Sequence, residues 1–477
     1  MNRSYKFKDI VIHKGGFLRG PFGGDLKKEI FVEKSDNTYK VYEQGVVLNS
    51  DKNIGRYYIS EEDYNAKLQK FSIQDKDFLV SCSGVNMGAI YQLKAPFERG
   101  IINQALLRIR LNDEIIDDNY FKYLFKELIS RKITSGSGDS TIPNFPGLDL
   151  IKNIDFELPT KDIQIRVGKL LCNIDSKITL NNRINAELEA MAKTVYDYWF
   201  VQFDFPFDFA QGKPSAEGKP YKSSGGKMVW SEELKREVPE GWEVSLIADW
   251  ILKDKNGDWG KESLEGNYTE HVSCIRGTDI NGLNGKGECN PPERYILEKN
   301  SNKQLSSHDL IVEISGGSPT QSTGRLAYLI DETLSRFDNP LICSNFCKAI
   351  ELKNKKQLFN FVHNWNRLYD NGVLFGYEGK TSGIKNLLFD SFVNSYWIAV
   401  PPQELVNKFY DLMLDIEKKK QTALKENQQL SSLRDWLLPM LMNGQLKVNS
   451  GYEGEVESLM AAEAGVKYGV ETKKANI

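Results

Sequence analysis

Residues 157–202 read ELPTKDIQIRVGKLLCNIDSKITLNNRINAELEAMAKTVYDYWFVQ, and residues 399–444 read AVPPQELVNKFYDLMLDIEKKKQTALKENQQLSSLRDWLLPMLMNG. Pro159 and Pro401 stand in equivalent contexts 242 residues apart, and each opens a long helical pattern. In the first, Val167, Ile174, Leu188 and Val195 recur every seven residues with Asn181 between them, and Leu170, Ile184, Met191 and Tyr198 follow three positions later. In the second, Phe409, Ile416, Ala423, Leu430 and Leu437 fall at the same offset, supported by Leu412, Leu433 and Met440. These are heptad seams in matching register. Lys177 and Lys419 interrupt them at equivalent places. Some 40 residues of helix make a rod of about 60 Å. Two equal rods in one chain predict an antiparallel pair with approximate two-fold symmetry.

The duplication extends upstream. Asp77-Phe78-Leu79-Val80 matches Asp309-Leu310-Ile311-Val312, and Gln44-Gly45 matches Arg276-Gly277, both 232 residues apart. Ten residues therefore separate the two registers, and they fall in turn-rich stretches around 83–88 with 315–325 and 94–100 with 331–340. The framework repeats while the loops differ. Strand patterns at 78–82, 101–109, 310–314 and 341–352, with helices at 119–131 and 356–369, predict two α+β units at 1–157 and 238–399. The rods occupy 158–203 and 400–447. Residues 204–237, punctuated by Pro206, Pro214, Pro220 and Ser223-Ser224-Gly225-Gly226, read as a linker, and 448–477 as a flexible tail.

Composition sets the outer bounds. A chain of 477 residues needs two or three cores. Hydrophobic residues at 40% with 8 Trp, 21 Tyr and 24 Phe exclude global disorder. No apolar run approaches the roughly 18 residues that span a bilayer, and the N-terminus lacks the apolar segment of a secretory signal, so a cytoplasmic protein without membrane contact is expected. Six cysteines without a CxxC pair fit a reducing compartment. Cys343 and Cys347, on one extended strand, would lie roughly 13 Å apart, too far for a disulfide. The four histidines are scattered, so no metal site is expected. A net charge of −3 gives no overall attraction to nucleic acid, leaving only local basic faces.

Catalytic motifs fail on inspection. Gly379-Lys380-Thr381 lacks the glycine a phosphate loop needs five residues earlier, where Leu374 stands. Asn290-Pro291-Pro292-Glu293 resembles the tetrapeptide of amino-methyltransferases, but Glu293 cannot stack on a flipped base. The sequence therefore predicts a protein without chemistry of its own.

Three stretches carry a family resemblance: Gly20-Pro21-Phe22-Gly23-Gly24-Asp25-Leu26-Lys27, Ser137-Gly138-Asp139-Ser140-Thr141-Ile142-Pro143-Asn144, and Val238-Pro239-Glu240-Gly241-Trp242. Together with Ile275-Arg276-Gly277-Thr278-Asp279-Ile280 and the order unit, rod, unit, rod, the chain resembles the specificity subunits of type I restriction-modification enzymes. The second unit departs from the pattern, having no Gly-Pro-Phe-Gly element and running Ser382-Gly383-Ile384 after Gly379-Lys380-Thr381.

The resemblance implies two target-recognition domains that each read half of a bipartite double-stranded DNA target, and helices that pair antiparallel and dock two methyltransferase subunits. Restriction and translocase subunits would join through these. S-adenosylmethionine, ATP and Mg would belong to the partners, and this chain would hold no cofactor. The alternative is a coiled-coil scaffold, or a specificity subunit of a related defence system with another catalytic partner.

Base reading needs groove-facing donors and acceptors, and backbone contact needs cations and hydroxyls. The candidates in the first unit are Arg19, Lys27, Lys28, Gln44, Arg56, Asn86, Ser137, Ser140 and Thr141. Those in the second are Lys261, Arg276, Thr320, Gln321, Arg325, Lys380, Thr381 and Lys385. On the rods, Ile174, Leu188, Ile416 and Leu430 are expected to face the sister helix. Trp199 and Trp436, with Tyr196, Phe200 and Leu437, offer apolar surface to a partner.

Overall fold

The computed structural model describes residues 3–22, 24–84, 86–136, 147–215, 217–316, 320–381, 384–446 and 448. The side chains of residues 128–136 and of Lys380 and Thr381 lie outside that description. The chain divides into a first unit, Met1–Ser176 with Leu430–Ile477, and a second, Lys177–Gln429. The division falls within both long helices.

The first unit is built around the strand Phe78–Ser81, whose alternation sends neighbouring side chains to opposite faces. Phe78 and Val80 pack with Phe121, Leu124, Val167 and Leu171, while Leu79 packs on the other side with Val41, Ile101 and Leu106. In its sheet the order is Phe17–Arg19, Leu106–Ile109, Phe78–Ser81, Ile90–Gln92, all antiparallel. A second sheet runs Phe31–Val32, Tyr58–Ser60, Thr38–Tyr42, Gly100–Ile102, with the last two strands parallel. The second unit repeats this plan. Ile251–Asn256, Cys347–Leu352, Leu310–Glu313 and Leu326–Tyr328 form the first sheet, and Glu293–Leu297, Tyr268–Ile275 and Leu341–Cys343 the second, again ending in a parallel pair. Leu310 and Val312 face one core and Ile311 the other, as Phe78, Val80 and Leu79 do. The sequence duplication is thus a duplication of sheet order and of strand facing.

Each unit also closes on a strand pair that leads into its rod: Arg3–Lys6 with Asp155–Leu158, and Glu243–Leu246 with Trp397–Val400. The proline after each second strand cannot donate to a ladder, so the strand stops, and the helices Lys161–Tyr196 and Gln403–Met442 begin within a few residues. In the first unit, Val167 and Leu171 near the start of one helix share a core with Leu438 and Leu441 near the end of the other, and Asp175 pairs with Arg434 at 2.9 Å. In the second unit, Tyr196 and Phe200 share a core with Phe409, and Phe200 meets Phe409 edge-on at 4.8 Å. Start meets end in both, which is antiparallel pairing. Between these points, in the second unit, lies a polar layer. Buried Asn181 donates to Glu426 Oε2 at 2.7 Å and to Asn427 Oδ1 at 2.9 Å, while Asn427 donates to Asn182 at 2.8 Å.

Three expectations are corrected. The second seam column is Leu171, Asn185 and Ala192, four residues beyond the first rather than three: Ala192 is 7% exposed while Met191 is 58% exposed. A helix places positions three and four away on nearly the same face, and here small and polar residues hold the buried one. The stretch 341–352 is two strands, Leu341–Cys343 and Cys347–Leu352, because a turn at Ser344 closes with Cys347 N–H donating to the Ser344 carbonyl at 2.9 Å. Cys343 and Cys347 are buried free thiols, both raised by burial, Cys343 to about 12.

The described residues of 204–237, which are 204–215 and 217–237, form strands and turns rather than a linker. Lys213–Pro214 and Lys219–Pro220 flank Pro206–Asp208 as edge strands, where a missing N–H costs nothing. Phe205 stacks on Tyr221 at 4.8 Å, and Asp204 accepts from Ser223 N–H and Oγ at 2.7 and 2.6 Å. The prolines and glycines set turns, while Phe203, Phe205 and Tyr221 bury enough apolar surface to hold them.

Candidate nucleic-acid interface

In the first unit, the C-terminal end of Phe78–Ser81 gathers several of the candidate segments. Gln44, at the start of the helix Gln44–Leu48, donates to Ser81 Oγ at 2.6 Å and to the Ser83 carbonyl at 2.5 Å. Gly20 lies so close to the next loop that a Cβ there would sit 1.8 Å from the Asn103 carbonyl oxygen, which brings Arg19 Nε to the Gln104 carbonyl at 3.4 Å. Its glycine is required by that approach. Asn86 is exposed in the turn between Phe78–Ser81 and Ile90–Gln92. Arg56 is exposed with its guanidinium 5.0 Å from the Tyr57 ring centre, and Lys27 and Lys28 are exposed on the segment after Gly20. Ser137, Ser140 and Thr141 lie outside the described residues. Gln44, Arg19 and Asn86 are therefore brought to one sheet end, where half-buried Gln44 acts as a clamp.

In the second unit the equivalent end is organised by a carboxylate. Glu313 takes the position of Ser81 and accepts from Arg325 Nε at 2.9 Å and Nη2 at 2.6 Å. Arg276 is held by Asp279, Nε at 2.8 Å and Nη2 at 2.9 Å, and reaches the Asn290 carbonyl at 3.0 Å. Hydrogen bonds to Asp279 and Glu313 raise the pKa of Arg276 and Arg325 respectively, so both remain cations. Lys385 pairs with Glu378 at 3.0 Å and donates to the Gln321 carbonyl at 3.4 Å. Thr320 and Gln321 are exposed on the loop that Glu378 braces by accepting from Thr323 N–H at 2.8 Å. Lys261 lies elsewhere, bridging to Tyr295 on the edge of the second sheet.

Sequence reading missed the carboxylates that compensate these cations. Asp279, three residues from Arg276, was within reach of a local pattern, whereas Glu313 and Glu378 reach their partners only through the fold. It also passed over Phe22 as a contact residue, although its ring is 77% exposed beside Gly20 and Lys27.

The rods carry a second surface. Ile174 is buried, while Leu188, Ile416 and Leu430 are half-buried. Tyr196 and Phe200 are consumed by the second unit's own core, and Trp199 packs at 5.9 Å from Phe409, so these three are not spare surface. Trp436 is 55% exposed, and Leu433, one turn earlier, is exposed as well.

Residues 23–190 match the family model for the type I restriction modification DNA specificity domain. A type I restriction enzyme specificity subunit (MjaIX) of Methanocaldococcus jannaschii is 24% identical over 351 residues, covering 72% of this chain and 73% of its own. The HindI specificity subunit of Haemophilus influenzae is 21% identical over 473 residues, covering 89% of this chain and 98% of its own. The crystal structure of the S subunit of a type I restriction-modification system from M. genitalium superposes with a TM-score of 0.53 at 16% identity, covering 92% of this chain and 96% of that one. Over most of its length the chain is similar to type I specificity subunits, and residues 23–190 carry their DNA specificity domain.

The stretches that resemble catalytic motifs take structural roles. Gly379-Lys380-Thr381 lies in the strand Glu378–Thr381, paired with Ile384–Leu387, rather than in a loop that opens a helix. Asn290 lends its carbonyl to Arg276, and Glu293 opens a strand opposite Ser273. Among the described residues no group of three or more His, Cys, Asp or Glu is placed to hold a metal, and no helix is long and apolar enough to cross a membrane.

Proposed function

We propose that this chain reads an asymmetric, bipartite double-stranded DNA target, one half through each unit, and docks two methyltransferase subunits and, through them, restriction and translocase subunits. The observation that carries this reading is the repeated sheet frame whose equivalent ends differ: Gln44 with Ser81 in one unit, Arg325 with Glu313 in the other. A shared frame with unlike loops suits two half-sites of different sequence, whereas identical subunits read palindromes. Methyl transfer and cleavage belong to the partners, as do S-adenosylmethionine, ATP and Mg. The recognition domains are 1–157 and 238–399, joined by rods that act as spacers. The contacting side chains are drawn from Arg19, Lys27, Lys28, Gln44, Arg56 and Asn86, and from Thr320, Gln321, Lys380 and Thr381. Arg276, Arg325 and Lys385 serve first to hold loops in place, because their charges are already compensated. With a net charge of −3, the chain alone is expected to bind DNA weakly and with strong salt dependence.

The test is to express the chain with its methyltransferase subunit in a methylation-free host and map modified adenines by single-molecule sequencing. A split motif with a fixed gap is the expected result. No modification, from a complex shown to form and a methyltransferase active with another specificity subunit, would sink the recognition reading. In the same assay Gln321→Ala is expected to cost about 1–3 kcal/mol at one base pair and relax the motif at that position. An unchanged motif removes Gln321 from the reading loops.

Trp436 and Leu433 form an exposed apolar step on the second rod and suit a protein partner. Trp436→Ala is expected to reduce co-purification of the methyltransferase subunit without lowering the unfolding temperature of the free chain. Undiminished complex would place docking elsewhere.

A further inference from the structure

The second unit contains a cleft of about 230 Å³ walled by the helix Leu358–Asp370 and by the strands Arg236–Pro239 and Trp397–Val400. Two guanidinium groups, those of Arg236 and Arg367, line it. The fold neutralises several of its partly buried arginines with bidentate carboxylates: Arg110 with Asp77, Arg276 with Asp279, Arg325 with Glu313. Here it does not. Among the described residues neither Arg236 nor Arg367 has an ion pair or a side-chain hydrogen bond, and Arg236 has only the Phe203 ring beneath it at 4.8 Å.

Other donors in the same walls are also unmet. Trp242 Nε1 and Arg367 Nε are buried without an acceptor. Asn360, which also lines the cleft, is 4% exposed and its amide makes no hydrogen bond among the described residues. Desolvation by burial, and next the neighbouring charge of Arg367, lower the pKa of Arg236. A pair of unneutralised guanidinium groups beside unused amide and indole donors is a costly arrangement unless something with oxygen acceptors and negative charge occupies it.

We propose that this cleft binds a phosphate-class oxyanion, bridged by Arg236 and Arg367 and completed by the amide donors of Asn360 and Asn364. The guanidinium fork matches two oxygens of one phosphate, and a dianion neutralises both arginines at once. The cleft has room for a phosphate group with its first waters. The phosphate can come from solution or from a nucleic-acid backbone, and the chemistry of the site is the same for both. This inference does not depend on the target-reading function proposed above.

Inorganic phosphate titrated against the full-length chain, with chloride at matched ionic strength as the control, tests the site. Phosphate is expected to raise the unfolding temperature of the wild-type chain and not that of Arg236→Gln or Arg367→Gln. In chloride alone, both variants are expected to unfold at or above the wild-type temperature because the repulsion is relieved, which separates loss of the site from loss of the fold. Arg367→Lys, which keeps the charge but not the fork, is expected to weaken the phosphate response at least tenfold. Equal responses in wild type and variants, or no wild-type response, overturn the proposal. A short non-target duplex identifies the source. If saturating duplex abolishes the response to phosphate, the occupant is a backbone phosphate, and if the two responses add, it is free phosphate.

Discussion

Trp365→Ala is expected to destabilise the second unit by about 3–5 kcal/mol while leaving the first unit unchanged. Trp365 is among the largest fully buried side chains in the chain, stacked 5.8 Å from Phe361 and edge-on to Phe392 at 5.2 Å. Its indole N–H donates to the Gly324 carbonyl at 2.8 Å. Gly324 takes a left-handed φ of +100°, and a Cβ there would lie 2.2 Å from Leu374, so the backbone at this point has no other way to sit. Removing the indole empties the core and frees the carbonyl that anchors the strand leading out of the Thr320–Gln321 loop. Calorimetry is expected to show one transition moved down and the other in place. In the complex, methylation is expected to lose specificity for the half-site read by this unit before the other. A shift corresponding to less than about 1 kcal/mol would mean that the core closes over the gap.

Inserting one heptad into each long helix, at facing layers on the same side of Asn181 and Asn427, is expected to lengthen the gap between half-sites by about three base pairs. Seven helical residues add about 10 Å, and each base pair occupies about 3.4 Å. The insertion has to be made in both helices, because a single insertion shifts one seam past the other and opposes buried and exposed columns. A single insertion is therefore expected to abolish methylation altogether. Mapping of methylated adenines reads both results directly. An unchanged gap after paired insertion would mean that the rods do not measure the target.

The parts of the structure legible in the sequence were those encoded by periodicity. Alternation in Asp77–Val80 and Asp309–Val312 specified equivalent central strands, and the seven-residue recurrence of Val167, Ile174 and Asn181 specified one seam column. The second column was misread because Asn185 and Ala192 are buried where Met191, a stronger apolar signal, is left in solvent. Composition misled at 204–237, where proline and glycine serve a compact edge-strand sheet. At the candidate interface the residue types were legible but their commitments were not. Arg325 and Lys385 were read as available cations, and the carboxylates that hold them lie 12 and 7 residues away in sequence. Pairing of that kind is decided by strand register, which no local pattern reports.

The polar layer at Asn181 has a bearing on how the chain avoids misassembly. Leucine against leucine is nearly as favourable one heptad out of step, so an all-apolar seam would admit several alignments of the two helices. Shifting the second helix by seven residues would set Asn181 against Lys420 or Arg434 in place of Asn427, stranding an amide that now holds two acceptors. The layer gives up some cohesion and in return rejects wrong alignments, which makes it a proofreading element.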